Sequence, residues 1–329
     1  YVEDIPSNQI ENWARIEADR FMNPVIRGFH TELETVYEEK NMSLTRDFRK
    51  ALETMDGMLF PDHPYGTQTV LGTQEHLKNP SITNIKNYHK TYYVPNNMAI
   101  CLSGDFDPDE MLAIIEKYFG QMEPNKDLPE LKFETASVIE SPMSKDVYGL
   151  DAENIMIGWK YPGAGTHEAM VADVVSYILS NGSAGLIDLN LNQQQKVLGA
   201  QAMSYTRPDA GEFIIMANPK HGQSLDEVKD LILAEIAKLR SGDFDESLLT
   251  GTINNLKLQM MNLMEENSDR ADLYVQSFIN GTDWADEVKR IDNLGKISKQ
   301  DVIEWACKYL ADNNYAVVYK RQGEDRTVQ

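Results

Sequence analysis

The acidic stretch Glu32-Leu-Glu-Thr-Val-Tyr-Glu-Glu39 holds the residues best placed for metal chemistry. On a helix, Glu32, Val36 and Glu39 fall at i, i+4 and i+7, so both carboxylates project from one face, two turns apart. Aligned acids of this kind suit a metal ligand and a supporting neighbour. They also suit a solvated surface helix, the commoner fate of a Glu-rich segment, and Glu34 and Glu38 on other faces fit that reading. His30 and Glu34, at i and i+4, could chelate, although a helix-surface His beside a Glu usually serves structure. His63, in Phe60-Pro-Asp-His-Pro-Tyr65, reads as turn packing, and Met260-Met261-x-x-Met264 as interhelix filler. Pro162-Gly-Ala-Gly165 lacks the Lys and the spacing of a phosphate loop. No Ser-His-Asp or Cys-His arrangement stands out.

The elements that must hold these residues read as α+β. Residues 7–56 are expected to be helical, opened by Ile5-Pro6-Ser7 and reopened by Asn23-Pro24. Further helices are expected at 166–180, 224–240, 245–278 and 298–311, the third opened by the acidic Asp243-Phe-Asp-Glu246. Strand signals lie at Met98–Ser103, Lys132–Val138, Asp146–Tyr148, Asn154–Trp159, Ala200–Tyr205, Phe213–Ala217 and Ala316–Tyr319. Clustered strands followed by clustered helices predict largely antiparallel sheets, each covered on one face.

The chain of 329 residues is long enough for two domains and two cores. Lys and Arg number 31 against 52 Asp and Glu, a net charge of −21. That balance argues against nucleic acid and anionic membrane surfaces, and leaves peptides, sugars and cations. No apolar run approaches the ~20 residues of a membrane span, so a soluble protein is expected, with the compartment, cytoplasm or periplasm, left open. Cys101 and Cys307, isolated in apolar patterns, read as small buried hydrophobes rather than a disulfide or metal pair.

Two stretches match without a gap at an offset of 217: Ser81 to Ser103, and Ser298 to Lys320. Ser81/Ser298, Tyr92/Tyr309, Asn96/Asn313, Asn97/Asn314 and Ala99/Ala316 are identical, and Ile85/Val302 and Tyr88/Trp305 are alike in character. Each copy reads as a Ser-capped amphipathic helix, an Asn-Asn turn and a buried strand. A duplicated unit implies two related domains, with Pro124-Asn-Lys-Asp-Leu-Pro129 as linker: residues 1–123 and 131–329. The second copy has far more sequence ahead of its serine than the first. The arithmetic therefore expects about 80 further residues ahead of Tyr1, and an incomplete sheet in the first domain.

With those motifs in hand, the chain resembles the pitrilysin/insulinase-type zinc metallopeptidases, the inverted zincins. Glu32-x6-Glu39, His63-Pro-Tyr-Gly66, Gly72-Thr-Gln-Glu-His-Leu77, Tyr92-Tyr-Val-Pro-Asn-Asn97 and Gly104-Asp-Phe-Asp-Pro-Asp-Glu110 follow in that family's order and spacing. The resemblance implies that Glu39 is a zinc ligand and Glu32 an acid supporting the metal site. It implies an intact enzyme of two halves that enclose a peptide substrate, the second half lying in the same chain or another subunit.

Two departures qualify that picture. The H-x-x-E-H motif, which in the family supplies two zinc histidines and the general base, is absent from this sequence. By resemblance it belongs ahead of Tyr1, in the segment the repeat also finds wanting. The second domain has Gln193 and Ala200, in Gln193-Gln-Gln-Lys-Val-Leu-Gly-Ala200, where the family's substrate-gripping Arg and Tyr stand. The expected function is therefore part of a zinc metalloendopeptidase, with Zn²⁺ in the full-length protein, none held by this fragment, and no peptide cleavage by the fragment alone. A non-catalytic paralogue serving as scaffold or partner subunit is the alternative.

Overall fold

A computed structural model describes residues 1–136 and 138–324. A 3₁₀ turn at Ser7–Gln9 leads into α1 (Ile10–Met22), α2 (Phe29–Thr45), α3 (Asp47–Leu59), α4 (Pro64–Thr67), α5 (Gln74–Lys78), α6 (Ile82–Tyr92) and α7 (Pro108–Phe119). Strands β1 (Met143–Gly149) and β2 (Asn154–Pro162) follow, then α8 (His167–Leu179), β3 (Gly199–Thr206) and β4 (Ala210–Asn218). The chain continues with α9 (Leu225–Ser241), α10 (Glu246–Leu263), α11 (Asn267–Asn280), α12 (Trp284–Val288), α13 (Arg290–Leu294), α14 (Lys299–Tyr309) and β5 (Ala316–Gln322). These elements form two compact units interleaved in sequence. One comprises Tyr1–Lys40, Gly72–Lys132 and Asn262–Phe278; the other comprises Asn41–Leu71, Phe133–Met261 and Ile279 onward.

The larger unit is built on a five-stranded sheet in the order β1-β5-β2-β4-β3, with β1 parallel to β5 and every other pair antiparallel. Alternation along β2 sends Ile155, Ile157, Trp159 and Tyr161 to one face, where they join Phe213 and Ile215 of β4. Helices α8, α9 and α14 bury that face with residues such as Val175, Ile232 and Trp305. The opposite face, with Met156, Ile214 and Val318, is covered by Ala51, Met55, Met58 and Leu59 of α3 together with Phe60. The expectation of one covered face is thus corrected. Strand β2 is buried on both sides, its run apolar on both faces apart from the buried Lys160.

A close approach and an ion pair seat α3. A Cβ on Gly158 would stand 2.5 Å from Met55 Sδ, so glycine lets the helix lie against the strand. Lys320 of β5 is fully buried, and its Nζ lies 2.9 Å from Asp47 Oδ2 while also donating to the carbonyls of Gly149, Asp151 and Ala152. Burial pushes the Asp47 carboxyl up, but Lys320, the Asp151 N–H and Lys50 together pull it below its ordinary value.

The smaller unit is helical, and no strand occurs in it among the described residues. Its helices α1 and α7 meet through Trp13 and Phe119, with ring centroids 6.0 Å apart, and through Glu11, which pairs with Lys117 at 2.5 Å. The strand expected at Met98–Ser103 is not formed. Met98 has extended dihedrals (φ −128°, ψ 150°), but a strand needs a ladder partner and none lies beside it among the described residues. Residues 132–136 also lack a ladder, and the remainder of that expected strand includes Ser137, which lies outside the described residues. Side chains hold this stretch instead: Lys160 Nζ donates to Thr135 Oγ1 at 2.6 Å, and Phe133 packs edge-on to His63.

The long helix expected over 245–278 is two helices. Arg270 interrupts it by donating Nη1 to the Met264 carbonyl at 2.6 Å, which satisfies a helix-end acceptor. Of the two thiols expected to be buried, Cys101 is half-buried and Cys307 is exposed on the outer side of α14, beyond the stripe of Val302, Trp305 and Tyr309.

Candidate functional site

Helix α2 begins after Gly28, whose φ of +60° turns the chain into it, and the Glu32 N–H bonds the Gly28 carbonyl at 3.0 Å. Leu33, Val36 and Tyr37 are half-buried and Lys40 is buried, so these residues define the inner side of the helix. Glu32 and Glu39 are both exposed on one stripe, as the spacing predicts. Seven residues of helix separate them by about 10 Å along the axis. Each can therefore address a different part of a site, but the two cannot clasp one ion between them. His30 and Glu34 are exposed on the same helix.

Zinc chemistry asks for three protein ligands and an open position. Among the described residues, no three His, Cys, Asp or Glu side chains are gathered to hold a metal. Among the described residues the donor set does not fit a zinc ion by itself.

The loop carrying Gln193 and Ala200 is ordered by a neighbouring carboxylate. Asp188, buried, accepts the backbone N–H groups of Asn181 (2.8 Å), Gly182 (2.8 Å) and Gly185 (3.2 Å). Gln193 Nε2 donates to the Ser183 carbonyl at 2.7 Å, which commits its side chain to the loop. Ala200 is buried at the start of β3, its N–H donated to Asn192 Oδ1 at 2.8 Å. These two positions offer a substrate neither a guanidinium nor a phenol.

One polar centre escaped the reading of motifs. Lys160 on β2 and Glu212 on β4 face each other across the ladder, both buried. The Lys160 ammonium lies 4.7 Å from the Phe60 ring centroid, and burial lowers its pKa to about 8. Burial, followed by the neighbouring Asp56 charge, raises Glu212 to about 8 against the opposing pull of Arg207. His63 caps α4 as the turn reading expects, its Nδ1 accepting the Tyr65 N–H at 3.1 Å. The signal for this centre lay in the strands themselves, where one Lys and one Glu interrupt runs of apolar residues.

Comparison with known proteins bears on family and fold. A family model described as the peptidase M16 inactive domain matches residues 81–256, more than half of the chain. The zinc protease PqqE of Helicobacter pylori is 25% identical over 272 residues, covering 78% of this chain and 58% of that protein. The chain thus spans little more than half of that relative's length. The crystal structure of a protease from Helicobacter pylori superposes with a TM-score of 0.88 at 18% identity, over 96% of this chain and 77% of that one. A peptidase M16 inactive domain from Pseudomonas fluorescens gives 0.84 at 12% identity, over 97% and 76%. At such identities the two structures speak for the shared α+β fold.

Proposed function

The chain belongs to the peptidase M16 family, and from that premise we propose that it is part of a zinc metalloendopeptidase that cleaves peptides with a metal-activated water. In this reading residues 1–123 are the C-terminal part of the metal-bearing domain and residues 131–329 are a second, non-catalytic domain of like ancestry. Glu39 is the zinc ligand contributed by this stretch, and Glu32 is a positioning acid beside it. The observation that carries the reading is the placement of both carboxylates on one exposed stripe of α2. Two further ligands and the general base come from an H-x-x-E-H segment of the full-length protein, which holds Zn²⁺ when complete. Peptides are the substrates, and a second peptidase-like half supplies the substrate grip that Gln193 and Ala200 do not.

The test is metal analysis beside a fluorogenic peptide assay on the full-length protein. Glu39→Gln abolishes cleavage and lowers zinc content. Glu32→Gln lowers activity by about 10–100-fold with more metal retained. Full activity in Glu39→Gln would sink the assignment. In calorimetry the present chain takes up no tight, stoichiometric Zn²⁺; a tight site would shift attention to His30 and Glu34.

A second reading, a non-catalytic scaffold or partner subunit of a peptidase complex, draws on the loss of grip at Gln193 and Ala200. A degenerate H-x-x-E-H in the full-length gene supports it, and an intact one excludes it.

A further inference from the structure

Where α3 runs into α4, the contact with the sheet changes from apolar to charged. Asp56 near the end of α3 and Glu212 of β4 share one guanidinium: Arg207 Nη2 stands 3.0 Å from Asp56 Oδ1 and 2.7 Å from Glu212 Oε1. Arg207 belongs to the turn between β3 and β4 and stacks on the Tyr65 ring, 4.3 Å from its centroid. Glu212 is 4% exposed, and its second oxygen has no donor within reach among the described residues. A buried carboxylate oxygen left in that state is costly, and a proton on it, shared with Asp56, removes the cost.

The surrounding charges support the same protonation state. Lys160, opposite Glu212 on β2, turns to Thr135 and the Phe60 ring and makes no ion pair with Glu212 among the described residues. Asp209 in the β3–β4 turn faces His63 Nε2 at 3.3 Å and accepts the Tyr65 hydroxyl at 3.1 Å. His63 Nδ1 is an acceptor, so a neutral ring carries its proton on Nε2, toward Asp209. With Glu212 protonated, Arg207 offsets Asp56, and Lys160, whose own pKa burial lowers to about 8, adds a positive charge only below that value. Once it ionises, two carboxylates contest one guanidinium in a buried site, and the balance is lost.

We propose that Asp56 and Glu212 form a one-proton latch, which closes the α3–α4 corner on the sheet while the proton is shared and releases it when the proton leaves. The sign follows from linkage. Glu212 binds its proton more tightly folded than unfolded, so its contribution is complete below the ordinary carboxylate pKa. It is lost as pH rises through the folded value of about 8. Within that window, opening of the corner rises by up to about tenfold per pH unit.

Native-state hydrogen exchange on the full chain reads this directly. The amides of Gly66, Thr67 and Gln68, which bond to His63 and Pro64 carbonyls, report the corner, and those of α14 serve as the reference. After correction for intrinsic rates, protection at the corner is expected to fall from pH 6 toward pH 8 while α14 stays level. Glu212→Gln should abolish that fall, and Asp56→Asn should move it to lower pH. A corner that is indifferent to pH in the unsubstituted chain overturns the proposal, whatever the variants do. A fall that survives unchanged in Glu212→Gln overturns it as well.

Discussion

Helices α6 and α14 share a length, a serine cap and a following Asn-Asn turn, yet one lies in a core and the other shows its apolar side to solvent. Ser81 and Ser298 each accept the N–H of the residue three positions on, at 3.3 Å and 3.2 Å. At the far ends, Tyr93 donates to His89 and Leu310 to Ala306, both at 2.9 Å. The turns also answer each other: Asn97 Nδ2 reaches back to the Tyr92 carbonyl at 2.9 Å, and Asn314 Nδ2 to that of Lys308 at 3.4 Å. Beyond the turn the likeness stops. Residues 316–322 become β5, held between β1 and β2, while residues 98–103 join no ladder among the described residues.

The contrast separates what a segment decides for itself from what its neighbours decide. Caps and turns are satisfied within a few residues, so equal sequences give equal geometry. A strand and a buried helix face need partners from elsewhere in the chain. Counted back 217 positions, the partners β1 through β4 end at or ahead of Tyr1, whereas α9 falls on residues 8–24, where α1 lies.

The largest effect should come from the matched aromatic pair. Trp305 is 4% exposed, packs on Tyr161, Phe213 and Tyr309, and donates its indole N–H to the Glu168 carbonyl at 2.9 Å. Trp305→Ala is expected to cost about 3–5 kcal/mol in urea unfolding. Its counterpart Tyr88 is 61% exposed, and Tyr88→Ala should stay within about 0.5 kcal/mol. A large loss at Tyr88 would mean that α6 is covered in solution and would break the contrast.

The last residues of the two copies are expected to differ next. Lys320→Met strands the buried Asp47 carboxylate, a fault that costs about 3–5 kcal/mol in general. Here the low end is expected, because the Asp151 N–H and Lys50 still reach Asp47. Ser103 stands at the equivalent place and only accepts from Arg270 Nε at 2.9 Å and donates to Asn267 at 3.2 Å. Ser103→Ala should cost about 1 kcal/mol, read as faster amide exchange in α11. Equal losses at the two positions would argue that residues 98–103 have a buried role like that of β5.

Much of this was legible beforehand, and the misses share a cause. Serine caps, the Asn-Asn turns, five strands of the larger sheet and the stripe of Glu32 and Glu39 follow from local spacing and alternation. The failed strand at Met98–Ser103, the second covered face of the sheet and the break at Met264 each depend on a distant group: a missing ladder, α3, and Arg270. Glu212 and Lys160 were visible as breaks in apolar strand runs, but their grouping with Asp56 and Arg207 was not, since those members come from α3 and a turn. Glu39 could be placed on its stripe, but its ligand role rests on family resemblance, because one carboxylate carries no coordination geometry of its own.

The smallest difference concerns the caps and can be tuned by pH. Replacing an N-cap serine by alanine costs about 1 kcal/mol on average. Ser298 should exceed that, because its partner Asp301 reciprocates, accepting both the Ser298 N–H and hydroxyl at 2.7 Å. Among the described residues, Ser81 has the bond from the Asn84 N–H alone to set against it. The Ser298 hydroxyl and N–H hold the Asp301 carboxyl below its ordinary pKa. Such a group stabilises the fold above its unfolded pKa, and the contribution is lost as pH falls through the lower, folded value. Ser298→Ala should therefore cost more than Ser81→Ala at neutral pH, and the gap should narrow as the solution becomes acid enough to protonate Asp301. Hydrogen exchange in the first turns of α6 and α14, measured in both variants at neutral and acid pH, decides the point. A gap that persists unchanged in acid would locate the advantage of α14 in its buried neighbours rather than in its cap.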